Sequence, residues 1–110
     1  MAATNMSEVI QRLVDRLSES YQPDRIILYG SYAYGTPDSA SDIDLLIIKE
    51  TDERPIDRRI EVRRLVSDLR RKLPFSSLVV TPSELSKRLE LGDDFFVEIT
   101  NKGKVLYERQ

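Results

Sequence analysis

Apolar positions in this chain recur with two periods, and the alternation between those periods lays out the elements. Val9, Ile10, Leu13, Val14 and Leu17 return every three or four residues, with Arg12, Asp15, Arg16 and Glu19 between them. That spacing predicts an amphipathic helix over residues 7–21 with Ser7 as its N-cap. Residues 1–5 before it read as a loose leader, and Pro23 ends the helix by biasing its neighbour away from helical angles. Ile26, Ile27, Leu28 and Tyr29 then form a short apolar run closing on Gly30, the pattern of a strand. Residues 31–35 predict a short helical turn, and the polar composition of 36–41 a loop. A second strand is expected over 42–49. From Leu45 to Ile48 it is apolar on both faces, which implies a central, covered place in a sheet.

After a polar loop, Pro55 suits the first turn of a second long helix over 56–72, with Ile60, Leu65, Val66, Leu69 and Leu73 as its buried stripe. Its other faces carry Arg58, Arg59, Arg63, Arg64, Arg70, Arg71 and Lys72. These read as a solvated face balanced by Asp57, Glu61 and Asp68, or as a contact surface for an acidic partner, a triphosphate tail or RNA. Pro74 stops the helix and residues 75–80 predict a third strand. Thr81-Pro82-Ser83-Glu84 combines capping-box spacing with proline at the first helical position, which opens a short helix to about Leu91. Gly92 breaks it. Asp93-Asp94 opens a further turn carrying Phe95, Phe96 and Ile99, where acidic residues complement the helix dipole. Gly103 precedes a last strand over 105–107. Alternating strands and amphipathic helices predict an α/β (α+β) fold, a mixed sheet of about four strands with packed helices. The length of 110 residues suits one domain, residues 1–110.

Composition narrows the chemistry more than the fold. The chain has no cysteine and no histidine, so thiolate metal sites and the commonest general base are both excluded. Acid–base or metal chemistry must rest on carboxylates, Lys, Tyr or hydroxyls. With 17 basic and 19 acidic side chains the formal charge is −2, which gives no global attraction to nucleic acid and makes it an unlikely direct target. The amino terminus has no basic and apolar signal-like run, and no stretch approaches the ~18 apolar residues of a membrane span, so a cytoplasmic protein is expected.

One constellation carries chemistry. Asp42 and Asp44 are two residues apart in a strand, so their carboxylates project to the same face while Ile43 and Leu45 point away. Like charges so placed repel and raise one another's pKa unless a cation lies between them. Mg²⁺ suits the place, because it is typically held by one or two carboxylates together with substrate phosphates. Gly30 and Ser31 supply the complement: a glycine lets phosphate approach the backbone, and a hydroxyl and free N–H groups can cradle it.

Gly30-Ser31, ten residues, then Asp42-x-Asp44, with Gly35 between, resembles the signature of the nucleotidyltransferase superfamily related to DNA polymerase beta. The short chain is similar to its minimal nucleotidyltransferase branch, whose members are often encoded beside a HEPN-domain partner as a toxin–antitoxin pair. The similarity extends to Val79-Val80-Thr81-Pro82 and to the ending Gly103-Lys104-Val105-Leu106-Tyr107. The resemblance implies transfer of a nucleoside monophosphate, AMP from ATP, to a hydroxyl on a protein partner. It places the β- and γ-phosphates at Gly30 and Ser31 and one or two Mg²⁺ ions at Asp42 and Asp44, with a HEPN-domain protein as partner.

The family pattern also has a third carboxylate on the following strand. Here Phe75-Ser76-Ser77-Leu78 occupies that place, Ser76 matching best and Ser77 next, and neither can ionise. Glu50, Glu61 and Asp68 are the acidic residues that folding could bring there instead. The readings are then an active enzyme resting on Asp42 and Asp44, a weak or inactive homologue that acts as a protein-binding antitoxin, and an RNA-binding domain using the basic helix.

Overall fold

The computed structural model describes residues 6–37, 41–70 and 73–110. The expected leader over 1–5, and Arg71 and Lys72 of the basic face, lie outside them. In chain order the elements are α1 (Met6–Ser20), β1 (Arg25–Tyr29), α2 (Ser31–Tyr34), β2 (Ile43–Ile48), α3 (Pro55–Arg70), β3 (Phe75–Val80), α4 (Pro82–Glu90), α5 (Asp94–Lys102) and β4 (Lys104–Glu108). The strands form one mixed sheet in the order β3-β2-β1-β4. The pairs β1–β2 and β1–β4 are antiparallel, while β2–β3 is parallel, with α3 as the crossover. This is the mixed α/β architecture that the periodicity predicts.

The sheet separates two apolar layers because its strand side chains alternate. Ile43, Leu45 and Ile47 of β2 face α1 and α3, joining Leu13, Val14, Leu17, Val62 and Val66. Leu46 and Ile48 face the other way, joining Ile27, Val80, Leu85, Phe96 and Ile99 under α4 and α5. Burial on both faces is why Leu45 to Ile48 reads as an unbroken apolar run. No helix among the described residues is long and apolar enough to cross a membrane.

Two expectations about the helices change. Helix α1 already includes Met6, which packs partly against the core, so Ser7 sits inside the first turn and not at the cap. In α3 the fully buried positions are Val62 and Val66, and Ile60 is 57% exposed. Ile60 precedes Val62 by two residues, about 200° around the helix, so both cannot face the sheet. Leu65, Leu69 and Leu73 do pack against the core.

Arg58 is the larger correction. Expected on a solvated face, it is only 5% exposed. Its Nε donates to the Glu53 carbonyl at 2.8 Å, and its Nη1 donates to Glu84 Oε1 at 2.8 Å and to the Val79 carbonyl at 3.3 Å. Glu84 is itself the far half of the capping box, accepting from the Thr81 N–H at 2.8 Å while its own N–H donates to Thr81 Oγ1 at 3.1 Å. One guanidinium therefore ties the start of α3, the end of β3 and the start of α4. Elsewhere around α3 the exposed charges pair with one another: Arg54 with Asp57, Arg64 with Glu61, and Asp68 with Arg16 of α1.

Arg58 also closes part of a free sheet edge. Pro74 and Val80 carbonyls bond inward to the Ile43 and Lys49 N–H groups, so the odd-numbered positions of β3 direct their carbonyls outward. Arg58 covers that of Val79, and Arg63 covers that of Phe75 at 3.4 Å. Edge strands left open template unwanted pairing, and charged side chains laid along the edge prevent it.

Removing Arg58 leaves the Glu53 and Val79 carbonyls without that donor and Glu84 without its counter-charge, so Arg58→Leu is expected to lower stability by about 2–4 kcal/mol in urea unfolding. The pH dependence has a defined sign. The hydrogen bond from Arg58, then the Thr81 N–H, hold the Glu84 carboxyl below the ordinary carboxylate range. The stabilisation they provide is present above the unfolded pKa of about 4.3 and is lost as pH falls through the lower folded value. Wild type should therefore lose more stability on acidification below pH ~4 than Glu84→Gln does.

Candidate active site

The antiparallel register sets Tyr29 opposite Asp44, and the parallel register sets Asp44 opposite Ser76. These three side chains share the sheet face that carries α4 and α5. Asp42 lies one residue before β2, on the same face by alternation, and is exposed. Asp44 is half-buried. The structure thus brings Gly30, Ser31, Asp42, Asp44 and Ser76 to one corner of the sheet, where β1 ends and β2 and β3 begin.

Gly30 is held there by two independent constraints. Its backbone lies at φ 77°, ψ −164°, a region open essentially to glycine alone. A Cβ on it would also run into the Asp44 carboxylate, with Cγ 3.3 Å and Cβ 3.6 Å away. Immediately after it the chain turns into the four-residue helix α2, whose Ala33 and Tyr34 N–H groups both donate to the Gly30 carbonyl at 3.0 Å. Gly35 closes the turn in the left-handed region at φ 79°, its N–H donating to the Ser31 carbonyl. Ser31 is not a cap. Gly30 occupies the cap position, and the Ser31 hydroxyl makes no hydrogen bond among the described residues.

The electrostatics single out Asp44. Burial, followed by the negative charge of Asp42, pushes its carboxyl above the usual aspartate range. No cationic side chain pairs with either aspartate among the described residues. The Tyr29 phenol is pushed up to about 12, mainly by burial and then by Asp44 and Tyr34, so it keeps its proton at any ordinary pH. An ionised carboxylate that is partly desolvated, beside a second one, and without a counter-charge is a suitable receptor for a cation.

The parallel register separates the two serines of β3. Ser76 is the residue in register with Asp44, whereas Ser77 pairs with Leu45 on the opposite face, its hydroxyl oxygen buried without a partner among the described residues. None of the acidic candidates takes over. Glu61 and Asp68 are on α3, across the sheet, and are paired with Arg64 and Arg16. Glu50 follows the far end of β2. Among the described residues no group of three acidic, histidine or cysteine side chains is placed to hold a metal ion.

Asp93 and Asp94 stay outside the site, as their sequence context implies. Asp93 caps α5, accepting from the Phe95 and Phe96 N–H groups at 3.1 and 3.5 Å. Sequence reasoning did miss Tyr29 beside Asp44 and the aromatic contact that Tyr29 makes. Tyr29 is the register partner of Asp44, and its ring meets Phe95 edge to face with centroids 5.6 Å apart. Strand alternation would have placed Tyr29 on this face once the register was known; Phe95 carried no such signal.

Comparison with known proteins identifies the family. The family described as polymerase beta, nucleotidyltransferase, matches residues 11–110. A candidate protein adenylyltransferase of Methanocaldococcus jannaschii is 31% identical over 109 residues, covering 94% of this chain and 73% of its own. Among solved structures, a candidate nucleotidyltransferase from Sulfolobus solfataricus superposes with a TM-score of 0.61 at 18% identity, covering 93% of this chain and 79% of that one. A chain of a mutant toxin–antitoxin complex, MntA–HpeT, superposes with a TM-score of 0.58 at 22% identity, covering 98% of this chain and 76% of that one. The likeness to these two structures is one of fold. The match across residues 11–110 and the identity with the methanogen protein make this chain a member of the polymerase beta-like nucleotidyltransferase family.

Proposed function

We propose that this chain binds Mg²⁺ and ATP and transfers AMP to a hydroxyl group of a partner protein, as the antitoxin of a pair with a HEPN-domain toxin. The observation that carries the nucleotide part is the Asp44 carboxylate, half-buried against the Gly30 backbone, beside Asp42 and without a counter-charge among the described residues. Mg²⁺ fits that donor set, which consists of two carboxylates and leaves the remaining positions to water and phosphate oxygens. Asp42 and Asp44 would hold the ion, which when bound neutralises charge on the triphosphate.

The chain's own residues have definite tasks in this reading. Gly30, lacking a Cβ, lets phosphate oxygens reach the backbone, and the unengaged Ser31 hydroxyl donates to them. In the transfer the acceptor oxygen bonds to the α-phosphorus, the bond from that phosphorus to its bridging oxygen breaks, and pyrophosphate leaves with the electron pair. Ser76 cannot take the acceptor proton as a carboxylate there would, so the proton passes to water and the reaction is slow. A protein acceptor is supported by the methanogen relative named for protein adenylyl transfer, and the antitoxin role by the fold shared with a chain of a toxin–antitoxin complex. Ser76 favours a second reading, in which transfer is negligible and the protein neutralises its partner by contact.

Asp44→Asn tests the ion site through stability as well as activity. Because the folded pKa of Asp44 is raised, its contribution to stability is complete below the unfolded value of about 3.9 and is lost as pH rises through the folded value. Without divalent ions at pH 7, Asp44→Asn should therefore melt higher than wild type, with the advantage fading as pH falls below ~4. Mg²⁺ should raise the Tm of wild type and leave that of the variant unchanged. Equal responses of the two proteins to Mg²⁺ would remove Asp44 from the ion site.

Transfer of labelled nucleotide to the co-expressed product of the neighbouring gene separates enzyme from contact antitoxin. Weak transfer by wild type is expected, with a loss on the order of 10²-fold or more in Asp44→Asn and a gain in Ser76→Asp. If both wild type and Ser76→Asp transfer nothing while the partner still co-elutes in size-exclusion chromatography, the contact reading stands. Two independent peaks at micromolar concentration would instead discard the pairing.

A further inference from the structure

Beside the carboxylates stands an aromatic wall that the phosphate and metal chemistry does not use. Phe95 is the second residue of α5 and is 46% exposed. Its ring meets Tyr29 at 5.6 Å and 90°, and Phe96 at 5.2 Å and 85°, both edge to face. Phe96 is buried in the layer beneath, and Asp93 pins the backbone by accepting from the N–H groups of both phenylalanines. The ring is therefore held in orientation by two perpendicular neighbours while nearly half the residue faces solvent. Edge-to-face contacts of this kind leave aromatic surface free for an offset stack.

The position of that free surface is informative. Tyr29 precedes Gly30 in the chain and is the register partner of Asp44, so Phe95 is one aromatic ring removed from the corner built for phosphate. We propose that Phe95 is the surface on which the base of the bound nucleoside triphosphate stacks, an inference that rests on the nucleotide reading above. Its phosphates lie at Gly30 and Ser31, and the base reaches across Tyr29 toward α5. Stacking on a phenyl ring recognises the π-face that every base has, so this wall adds affinity without choosing between adenine and guanine.

The test separates base from phosphates. Phe95→Leu keeps apolar bulk against Tyr29 and Phe96 but removes the aromatic face, and Phe95→Tyr keeps the face. Phe95→Leu should weaken Mg²⁺-ATP binding on the order of tenfold, while Mg²⁺-tripolyphosphate binding stays within about twofold and Phe95→Tyr resembles wild type for both. The triphosphate of 2-aminopurine riboside should lose fluorescence on wild type and on Phe95→Tyr, but not on Phe95→Leu. Equal loss for ATP and tripolyphosphate in Phe95→Leu, or no loss for ATP, would overturn the stacking role while leaving the nucleotide site in place. A wild type that binds neither compound sinks the nucleotide reading itself, and this inference with it.

Discussion

The structure depends on the close approach of the Asp44 carboxylate to the Gly30 backbone. The contact leaves no room for a side chain at position 30, and the left-handed turn at φ 77° admits essentially none. Such an approach requires the β1–β2 register to be fixed, since a slip by one residue would turn Asp44 into the layer packed under α1 and α3. What fixes it is apolar burial on both sides of β2: Leu45 and Ile47 on one face, Leu46 and Ile48 on the other. The most hydrophobic strand in the chain therefore serves to hold a carboxylate at its own edge.

Among the described residues no cation pairs with this carboxylate. Arg58 is committed to Glu84 and two carbonyls, Arg16 to Asp68, Arg54 to Asp57, Arg64 to Glu61 and Arg109 to Asp24. Several of these are exposed pairs worth a few tenths of a kcal/mol, of the order of 0.2–1 each. Their carriers lie on the helices across the sheet or near the far ends of the strands, away from the corner where β1 ends and β2 begins. Of the 17 basic side chains, none among the described residues is paired with Asp42 or Asp44.

Where the sequence was legible, local chemistry decided the structure. The capping box of Thr81 and Glu84, the cap at Asp93, the two-sided run of β2 and the glycine turn at Gly30 all act within a few residues, and each could be read from spacing. Three features were not legible, because their partners are distant in the chain. Arg58 resembled its neighbours in a basic helix, and only its approach to Glu84 and to the end of β3 distinguishes it. Ile60 fitted one helical phase and Val62 another, and packing against the sheet selected Val62. Phe95 and Tyr29 meet only because α5 folds back over β1. The choice between Ser76 and Ser77 lay between these extremes: alternation guarantees that only one faces Asp44, and the parallel register identifies Ser76.

That identification bears on how binding and catalysis can come apart in one corner. In the proposed function, Asp42 and Asp44 supply two ligands and phosphate oxygens and water the rest, so a serine at position 76 does not by itself prevent an ion from being held. It removes the group that, in the family pattern, adds a further metal ligand and can accept the acceptor's proton. A serine hydroxyl at the same register position keeps the strand pairing and the shape of the corner while lowering its charge. The sheet, the Gly30 turn and the surfaces available to a partner are unaffected by that exchange. In the proposed function, binding at this corner rests on the register of β1, β2 and β3, whereas the transfer rate rests on a single side chain beside Asp44.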